Sequence, residues 1–343
     1  MSIRLKDLAV HLGLSVPTVS RALGGHGDIS AQTRARVKAA AEKFGYVPAT
    51  SALQLRTGRA NAFGIVLPSG PNPLGDPFYT ELVSGMAERA AAENFDVVLT
   101  VPPAGHDELD AYKRLVKSRR VDGVVIARTL VDDGRVDYLL EADFPFVTHG
   151  RTMHPKAHPW LDIDGHYGML IAVRRLVRLG HHEIAYIGAP TNYMYAGHRL
   201  AGYREGLVEA GIASKRTWEL VSDLTAEGTG PLVARLLAAR ARPSAILCAT
   251  DAMAIGALKA IRASGLIPGR DVAVIGYGDL PFAEHADPPL TTVSRPIRDC
   301  GRRVIELIME KLGGAPASKL HELWKPALVI RQSDSGMRDS GIG

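Results

Sequence analysis

The sequence has few of the features that mark secreted, membrane or disulfide-rich proteins. Only two of its 343 residues are cysteine, and Cys248 and Cys300 lie in apolar runs typical of a strand and a helix. This usage indicates reduced, buried thiols and excludes a disulfide framework. No apolar run reaches the roughly 18 residues of a membrane helix, and the first residues carry Arg4, Lys6 and Asp7 where a secretion signal would be apolar. We therefore expect a cytoplasmic protein.

The common motifs of catalysis and metal binding are also missing. The sequence contains no phosphate-cradling GK[ST] loop, no G-x-S-x-G elbow and no H-E-x-x-H pair. LDIDGH (161–166) alternates carboxylates but lacks the later glutamate of a calcium loop, and the adjacent histidines of GHHE (180–183) would point apart. We therefore predict no metal, no cofactor and no enzymatic activity.

Positive charge, by contrast, is concentrated at one end of the chain. Residues 1–60 hold nine lysines and arginines against three acidic residues, whereas the rest of the chain holds 32 against 33. The net charge of +5 therefore arises from the first sixth of the sequence. A basic segment followed by a neutral body is typical of a nucleic-acid-binding domain attached to a second function.

The basic segment has the pattern of a helix-turn-helix. LKDLAVHL (5–12) places its apolar residues on one face, Gly13 marks a turn, Ser15 caps a second helix and Pro17 lies in its first turn. The outward face of the second helix carries Thr18, Ser20 and Arg21, which can reach bases and phosphates in a major groove. A three-helix bundle that mediates only protein contacts is the alternative.

The segment after this head is short and poor in large apolar residues. Pro48 begins it and Gly58 ends it, so a helix there would form only when DNA and a second copy supply partners. Leu55, with Arg56 beside it, is apolar where a linker should be polar. We interpret it as a wedge for a minor-groove base step; packing of Leu55 on the body is the alternative.

From residue 61 onward, short β-branched runs such as GVVIAR (123–128) and VAVIGYGD (272–279) alternate with segments of helical length. This alternation predicts an α/β fold of parallel sheets covered by helices on both faces. The irregular stretch GRTMHPKAHPWLDIDG (150–165) interrupts it, so we expect two similar lobes. Ligands bind beyond the carboxyl ends of parallel strands, so two facing lobes would form a cleft.

Six motifs carry a specific resemblance, and their order and spacing argue against chance. They are LKDLAVHLGLSVPTVSRAL, DISAQTRARVKAAAEKFGYVP, LGHHEIAYIGAP, HRLAGYREGL, CATDAMAIGALKAIRASGLIPGRDVAVIGYGD and PPLTTV. Over residues 3–333 the sequence resembles the lactose-repressor family of bacterial transcription regulators. The resemblance implies a homodimer, a palindromic operator, a hinge helix that inserts a leucine, and a periplasmic-binding-protein-like core that closes on a small effector.

The same resemblance suggests domain boundaries. We expect a helix-turn-helix domain over 1–47, a hinge over 48–60, an effector and dimerisation core over 61–333 and a disordered tail over 334–343. Within the core, the N-lobe would comprise about 61–161 and 293–323, and the C-lobe about 164–290 and 326–333.

Site residues follow by position in the family's motifs. The implied DNA contacts are Arg4, Val16, Pro17, Thr18, Ser20, Arg21, Thr33, Leu55 and Arg56. The implied effector contacts are Phe78, Tyr79, Arg151, Tyr193, Tyr195, Arg199, Leu224, Thr250 and Gly278. The sequence departs from the family at Gly24, Arg4 and Gly278, where an asparagine, a capping hydroxyl and a carboxylate are common.

The implied pocket residues suggest a polar, ring-shaped ligand. Aromatic rings can stack on the apolar face of a sugar, and Arg199 offers a planar fork to hydroxyls or a carboxylate. Because Arg151 and Arg199 would both face the cleft while Gly278 supplies no acid, we expect a positive bias that favours sugar acids or phosphorylated sugars. A neutral sugar, or a nucleoside or polyol, remains open.

These observations together predict a DNA-binding repressor of a carbohydrate-utilisation operon, released from its operator by a small sugar-like effector. A regulator that uses a co-repressor is an alternative. A sugar-binding transport receptor would share the body but not the basic head, and a nucleotide-dependent enzyme would need a phosphate loop or catalytic triad. The tail lacks the leucine heptads of a tetramerising coiled coil, so we expect a dimer.

Overall fold

The structure of the protein, a computed structural model, describes residues 3–46, 58–69 and 73–334. The chain divides between Ala60 and Asn61 into a small N-terminal unit and a large C-terminal one. Most of the predicted hinge, including Leu55 and Arg56, lies outside the described residues, as does the tail from residue 335.

The described part of the N-terminal unit contains three helices, and local signals define where each begins. Ser15 accepts the backbone N–H of Thr18 at 3.2 Å, and Ser30 likewise accepts that of Thr33 at 3.2 Å. Gly13 adopts φ +63°, the left-handed conformation that ends the first helix. The helices are α1 (Leu5–Leu12), α2 (Val16–Leu23) and α3 (Ala31–Lys43), and they enclose Leu8, Ala9, Leu12, Val19, Ala22, Val37 and Ala41.

The first lobe of the C-terminal unit is built on a six-stranded parallel sheet of order β11-β5-β4-β3-β1-β2. Helices cover both faces of the sheet, because neighbouring parallel strands must be joined by long crossover connections, which are usually helical. The strands are β1 (Ala62–Val66), β2 (Asp96–Thr100), β3 (Gly123–Ala127), β4 (Phe146–His149), β5 (Trp160–Ile163) and β11 (His321–Trp324). The helices are α4 (Pro77–Ala91), α5 (Glu108–Lys117), α6 (Gly134–Glu141) and α11 (Ile297–Leu312).

The second lobe repeats this architecture with the order β12-β10-β9-β8-β6-β7, in which only β12 runs antiparallel to its neighbour. Its central strands are fully buried, as their apolar sequences predict. The strands are β6 (Ile184–Gly188), β7 (Glu219–Val221), β8 (Ala245–Cys248), β9 (Ala273–Gly278), β10 (Thr291–Ser294) and β12 (Ala327–Val329). The helices are α7 (Gly165–Arg178), α8 (Met194–Glu209), α9 (Ala226–Ala238) and α10 (Asp251–Ala263).

The predicted fold class is confirmed: a helical head precedes a two-lobed core of mainly parallel sheets flanked by helices. The chain passes between the lobes after β5, β10 and β11. One predicted lobe boundary is wrong, because Val293 and Ser294 pair with β9 in the C-lobe sheet, and the N-lobe segment resumes with α11 at Ile297.

The predicted tail also begins one residue too early. Asp334 is buried, accepts the hydroxyl of Thr291 at 2.8 Å and pairs with Arg175 at 2.9 Å. A carboxylate held by two partners belongs to the folded body rather than to a disordered tail.

Candidate functional site

The helix α2 presents a polar outer face on a firmly anchored backbone. Val19 is fully buried and fixes the helix against the head's core, whereas Val16 is 38% exposed. The hydroxyl of Thr18 lies 2.8 Å from that of Ser15, so the cap also orients this side chain. Pro17 lies in the first turn and is exposed, and Ser20 is half-buried. The predicted base-reading positions therefore lie at the accessible start of the helix.

Arg21 projects from the same helix but is already paired. Its guanidinium forms a salt bridge with Asp28, and the two side chains are 55% and 44% exposed. An exposed pair of this kind is worth about 0 to 1 kcal/mol, so DNA can displace the aspartate at small cost. If Arg21 contacts DNA as predicted, Asp28 competes with DNA for its guanidinium, a relation that the sequence did not indicate.

The remaining predicted DNA contacts in the described residues lie near helix ends. Arg4 is exposed at the start of α1, where its backbone N–H donates to the carboxylate of Asp7 at 3.1 Å. Thr33 lies at the start of α3 with its hydroxyl 2.8 Å from that of Ser30. Both positions combine helix N-termini with polar side chains, which suits phosphate contact.

Two head arginines that could be mistaken for DNA contacts have structural partners. Arg34 donates to the carbonyl oxygens of His26 and Ile29 at 3.1 and 2.6 Å, and Arg36 donates to that of Leu12 at 2.5 Å. These bonds tie α3 to the loop before it and to the end of α1. Part of the head's positive charge therefore stabilises its fold.

The second candidate site is a cavity between the lobes of the C-terminal unit, at the carboxyl ends of the strands. Residues that follow β3 and β4 form one wall, and residues that follow β8 and β10 form the other. The free volume is about 50 Å³, far below the 300 to 1,000 Å³ of typical ligand pockets. The lining consists of Phe78, Arg128, Thr129, His149, Gly150, Arg151, Asp162, Ile163, Gly165, Met194, Tyr195, His198, Arg199, Thr250 and Arg295.

Backbone hydrogen bonds hold this cleft closed. The N–H of Met194 donates to the carbonyl of Thr129 at 3.0 Å, and the N–H of Val131 donates to that of Asn192 at 2.9 Å. Leu130 and Tyr193 form an isolated antiparallel bridge between these bonds. The loop after β3 in one lobe is thereby joined to the start of α8 in the other, so a ligand of sugar size requires these contacts to open.

On the N-lobe wall, Arg128 is fixed between an acid and two aromatic rings. It forms a salt bridge with Asp76, the residue that caps α4. Its guanidinium carbon lies 5.2 Å from the ring centres of both Phe78 and Tyr79. Arg128 is therefore neutralised, and Phe78 is the aromatic side chain that reaches the cavity from this wall.

On the C-lobe wall, Arg199 is almost completely buried, with 4% of its surface exposed. Its guanidinium carbon lies 3.8 Å from the ring centre of Tyr277 and 4.5 Å from that of Tyr195. One terminal nitrogen donates to the carbonyl of Ala249, while Nε has no hydrogen-bond partner among the described residues. The side chain is rigidly held, and part of its donor capacity is unused.

Arg295 faces the same cavity and was missed by the sequence analysis. It follows β10 where the chain returns to the N-lobe, and its guanidinium carbon lies 5.4 Å from the ring centre of Phe78 and 5.5 Å from that of Tyr277. Within the described ranges it has no carboxylate within 4 Å, and its Nε is buried without a hydrogen-bond partner. Burial lowers its pKa to about 10, and repulsion by Arg199 adds to this effect.

The acids around the cavity are already engaged. Asp162 accepts Nε of Arg151 at 2.8 Å, which neutralises that arginine. Asp251 is buried beneath the cavity and accepts the backbone N–H of Leu280 at 2.8 Å and the hydroxyl of Thr292 at 2.5 Å. The expectation that Arg151 and Arg199 together make the cleft positive is therefore wrong for Arg151, whose charge Asp162 neutralises. Arg295 is the second arginine that contributes positive charge to the cavity.

Two histidines on the cavity wall are held neutral. Burial lowers the pKa of His149 to about 4, and burial also lowers that of His198. The Nε2 atoms of both are buried without a hydrogen-bond partner in the described residues. With the Nε atoms of Arg199 and Arg295, four nitrogens around one cavity lack partners, and a neutral imidazole can donate through either nitrogen, depending on its tautomer. The site is chemically prepared for a ligand rich in acceptor oxygens.

Of the predicted effector contacts, Phe78, Arg151, Tyr195, Arg199 and Thr250 line the cavity. The other four are placed elsewhere. Tyr79 is buried beside Phe78, Tyr193 belongs to the bridge between the lobes, and Leu224 packs against the C-lobe core. Gly278 adopts φ +148°, and a Cβ there would lie 2.9 Å from the carboxylate of Asp251. In the closed cleft, these four residues support its walls rather than form them.

The described ranges contain no cluster of three or more histidine, cysteine, aspartate or glutamate side chains arranged to hold a metal ion. Among the helices of these ranges, none is both long and apolar enough to cross a membrane.

Comparisons with known proteins match both units. Residues 4–49 match the family model "Bacterial regulatory proteins, lacI family", and residues 173–333 match "Periplasmic binding protein-like domain". The HTH-type transcriptional regulator AglR of Rhizobium meliloti (strain 1021) is 36% identical over 337 residues, covering 97% of this chain and 94% of the relative. RafR of Escherichia coli, also an HTH-type transcriptional regulator, is 34% identical over 94% of this chain and 96% of its own length.

Solved structures give the same result. The complex of the transcriptional regulator CelR with cellobiose is similar, with 31% identity, a TM-score of 0.74 and coverage of 96% of this chain and 99% of the other. The lac repressor dimer bound to operator and the anti-inducer ONPF has 26% identity, a TM-score of 0.83 and coverage of 98% and 100%.

Proposed function

The chain belongs to the lacI family of bacterial regulatory proteins and is a DNA-binding transcriptional regulator, and from this premise we propose that it represses a carbohydrate-utilisation operon and is released by a small sugar-like effector. The homologues are regulators rather than enzymes, and the chain is likewise not an enzyme. The observation that carries the effector part is the cleft, where four unpartnered nitrogens surround one cavity beside aromatic rings.

The DNA partner is a palindromic operator read by a homodimer. The exposed start of α2, with Val16, Pro17 and Arg21, suits the major groove, and a two-fold related pair of such helices would read a site with matching symmetry. A structure with 26% sequence identity was solved as a dimer on its operator, which supports this assembly. Leu55 and Arg56 stay predicted minor-groove contacts.

The effector acts through the cleft. Aromatic side chains and buried arginine donors are the groups that bind sugar rings and their oxygens, and the 31% identical CelR was solved with cellobiose. Because bonds between the loop after β3 and α8 close the cleft, effector entry changes how the lobes are joined. A ligand that binds one arrangement better shifts the population toward it.

This proposal is tested by mapping the binding site upstream of the chain's own gene by footprinting and titrating the full chain against that DNA. Mono- and disaccharides and their acids and phosphates are then added, and the expected result is loss of affinity by about 5- to 150-fold for one of them. An effector that strengthens binding would identify a co-repressor instead. Turnover of the sugar, or no footprint at a symmetric site, would contradict the proposal.

A further inference from the structure

We infer that the effector of this protein carries an anionic group, a carboxylate or a phosphate, which is held between Arg199 and Arg295. This inference rests on the proposed function and narrows its effector class. It is based on the side chains that surround the cavity, since neither the family match nor the relatives' names specify a charged ligand.

The guanidinium groups of Arg199 and Arg295 differ from those of the other arginines that line the cavity. Arg199 is buried, and both residues have a fully buried Nε with no hydrogen-bond partner. No carboxylate of the described residues lies within 4 Å of either group, whereas Arg128 and Arg151 on the same cavity each have one. A buried cation without a partner is costly, and an anionic ligand would remove that cost.

The charges around the cavity also favour an anionic ligand. The lining contains four arginines and one aspartate, and Asp76 behind the wall neutralises a second arginine. His149 and His198 are neutral at pH 7 because burial lowers the pKa of each. Asp251 attracts Arg295 only from beyond 4 Å, so within the described residues neither Arg199 nor Arg295 is paired with a carboxylate. Electrostatic interactions in such an enclosed space are stronger than in water.

The nearby acids that could supply the missing charge are directed elsewhere. Asp251 lies under the cavity floor, where it accepts two hydrogen bonds and where burial raises the pKa of its carboxyl. Asp279 pairs with Arg331 at 2.8 Å. The ring of Tyr277 lies beside both guanidinium groups, 3.8 Å from that of Arg199 and 5.5 Å from that of Arg295. A neutral polyol would satisfy some N–H donors but would leave both charges uncompensated.

The test uses thermal unfolding of the full chain with small anions as probes. At constant ionic strength, chloride is replaced by about 20 mM phosphate in one arm and by acetate in the other, which separates a phosphate from a carboxylate preference. We expect one arm to raise Tm by at least about 2 °C. Arg295→Met should lose more than half of that shift, and Arg295→Lys should retain most of it.

Arg174→Met is the matched control. Arg174 forms an exposed salt bridge with Glu209 on the outside of α7, so this substitution should leave the anion-induced change in Tm unaltered. Equal shifts in the wild-type chain and Arg295→Met, or no shift in either arm, would overturn the inference.

A second arm compares glucose and galactose with their uronic acids and 6-phosphates in the DNA-release assay. An anionic member should be the stronger effector, and its advantage over the neutral sugar should fall at least tenfold in Arg295→Met. If a neutral sugar releases the DNA better than both anionic partners, this inference fails while the proposed function stands. If anions bind through Arg295 but no sugar affects DNA binding, the proposed function fails instead.

Discussion

At the scale of single residues, we expect Arg21 to be central to operator recognition and its salt bridge with Asp28 to compete with that role. A bidentate arginine contact with guanine is worth about 1 to 3 kcal/mol. Arg21→Ala should therefore weaken operator binding by that amount and relax base preference at one position of each half-site. Fluorescence anisotropy with the operator and single-base variants measures both effects.

Asp28→Asn provides the opposite change, because it frees the arginine without removing it. We expect operator affinity to rise by a few tenths of a kcal/mol up to about 1, in line with an exposed pair. If Asp28→Asn weakens binding as much as Arg21→Ala does, the carboxylate positions the arginine on DNA and the competition described above is wrong.

The backbone conformation of Gly278 and its close contact with Asp251 restrict which side chains this position can accept. Its φ of +148° lies in a region that side chains rarely adopt, and a Cβ would meet the Asp251 carboxylate. Gly278→Asp, which restores the acid common at this position in the family, should therefore destabilise the C-lobe by about 1 to 3 kcal/mol instead of rebuilding a sugar contact. Urea unfolding compared with Gly278→Ala separates the strain from the added charge. A Gly278→Asp protein of wild-type stability would show that the strand end relaxes.

At the scale of elements, the packing of helix pairs depends on glycines at their crossing points. A Cβ on Gly85 of α4 would collide with the carbonyl oxygen of Arg298 on α11, and a Cβ on Gly301 of α11 would collide with that of Leu82. The paired helices α7 and α8 meet in the same way at Gly202. Backbone contact at a crossing leaves no room for a methyl group, and a packed interior does not yield easily.

Gly301→Ala should therefore cost about 2 to 4 kcal/mol of unfolding free energy, since either the two helices separate or the backbone shifts. Gly197→Ala is the matched control, because it lies within α8 with no atom within 4 Å of its added Cβ. That substitution should stabilise the protein by about 0.5 to 1 kcal/mol through helix propensity alone. Chemical denaturation of both variants measures the difference; similar effects at the two positions would contradict the close crossing.

The elements were largely predictable because their signals are local. Ser15 and Ser30 cap helices, Gly13 takes a left-handed turn, and fully apolar runs become buried parallel strands. The lobe boundary at Val293 was not predictable in this way. The sequence pattern of a strand does not indicate which sheet the strand joins. The pairing of β10 with β9 depends on residues that are distant in the sequence.

At the scale of the whole molecule, the cleft depends on charges brought together from four separated segments. Arg128, Arg151 and Arg295 follow three different strands and Arg199 lies in α8, so only the fold decides which of them have acid partners. The sequence predicts that Arg199 faces the cleft, but it does not indicate that Asp162 neutralises Arg151 or that Arg295 enters from the crossover after β10. Which acid lies beside each arginine depends on the three-dimensional fold, and the sequence alone does not reveal it.

The closed cleft also makes the stability of the whole molecule depend on pH through His149. Burial lowers the pKa of this side chain to about 4 from an ordinary value of 6.5. Between these values the unfolded chain binds the proton and the folded chain does not, so the free energy of unfolding falls as pH falls from 6.5 toward 4. The full loss is about 3 kcal/mol, and above pH 6.5 the group has no effect.

His149→Gln should remove this part of the pH dependence while leaving the rest. Denaturant unfolding at pH 5 and pH 7.5 measures the loss of stability on acidification, which should be smaller in the variant by about 1 to 2 kcal/mol over this range. His158 and His198, whose pKa values are also lowered by burial, stay in both proteins and cancel in the comparison. If wild-type and variant lose stability equally between the two pH values, His149 is solvated or already paired in the folded protein, and the cleft is not closed over it.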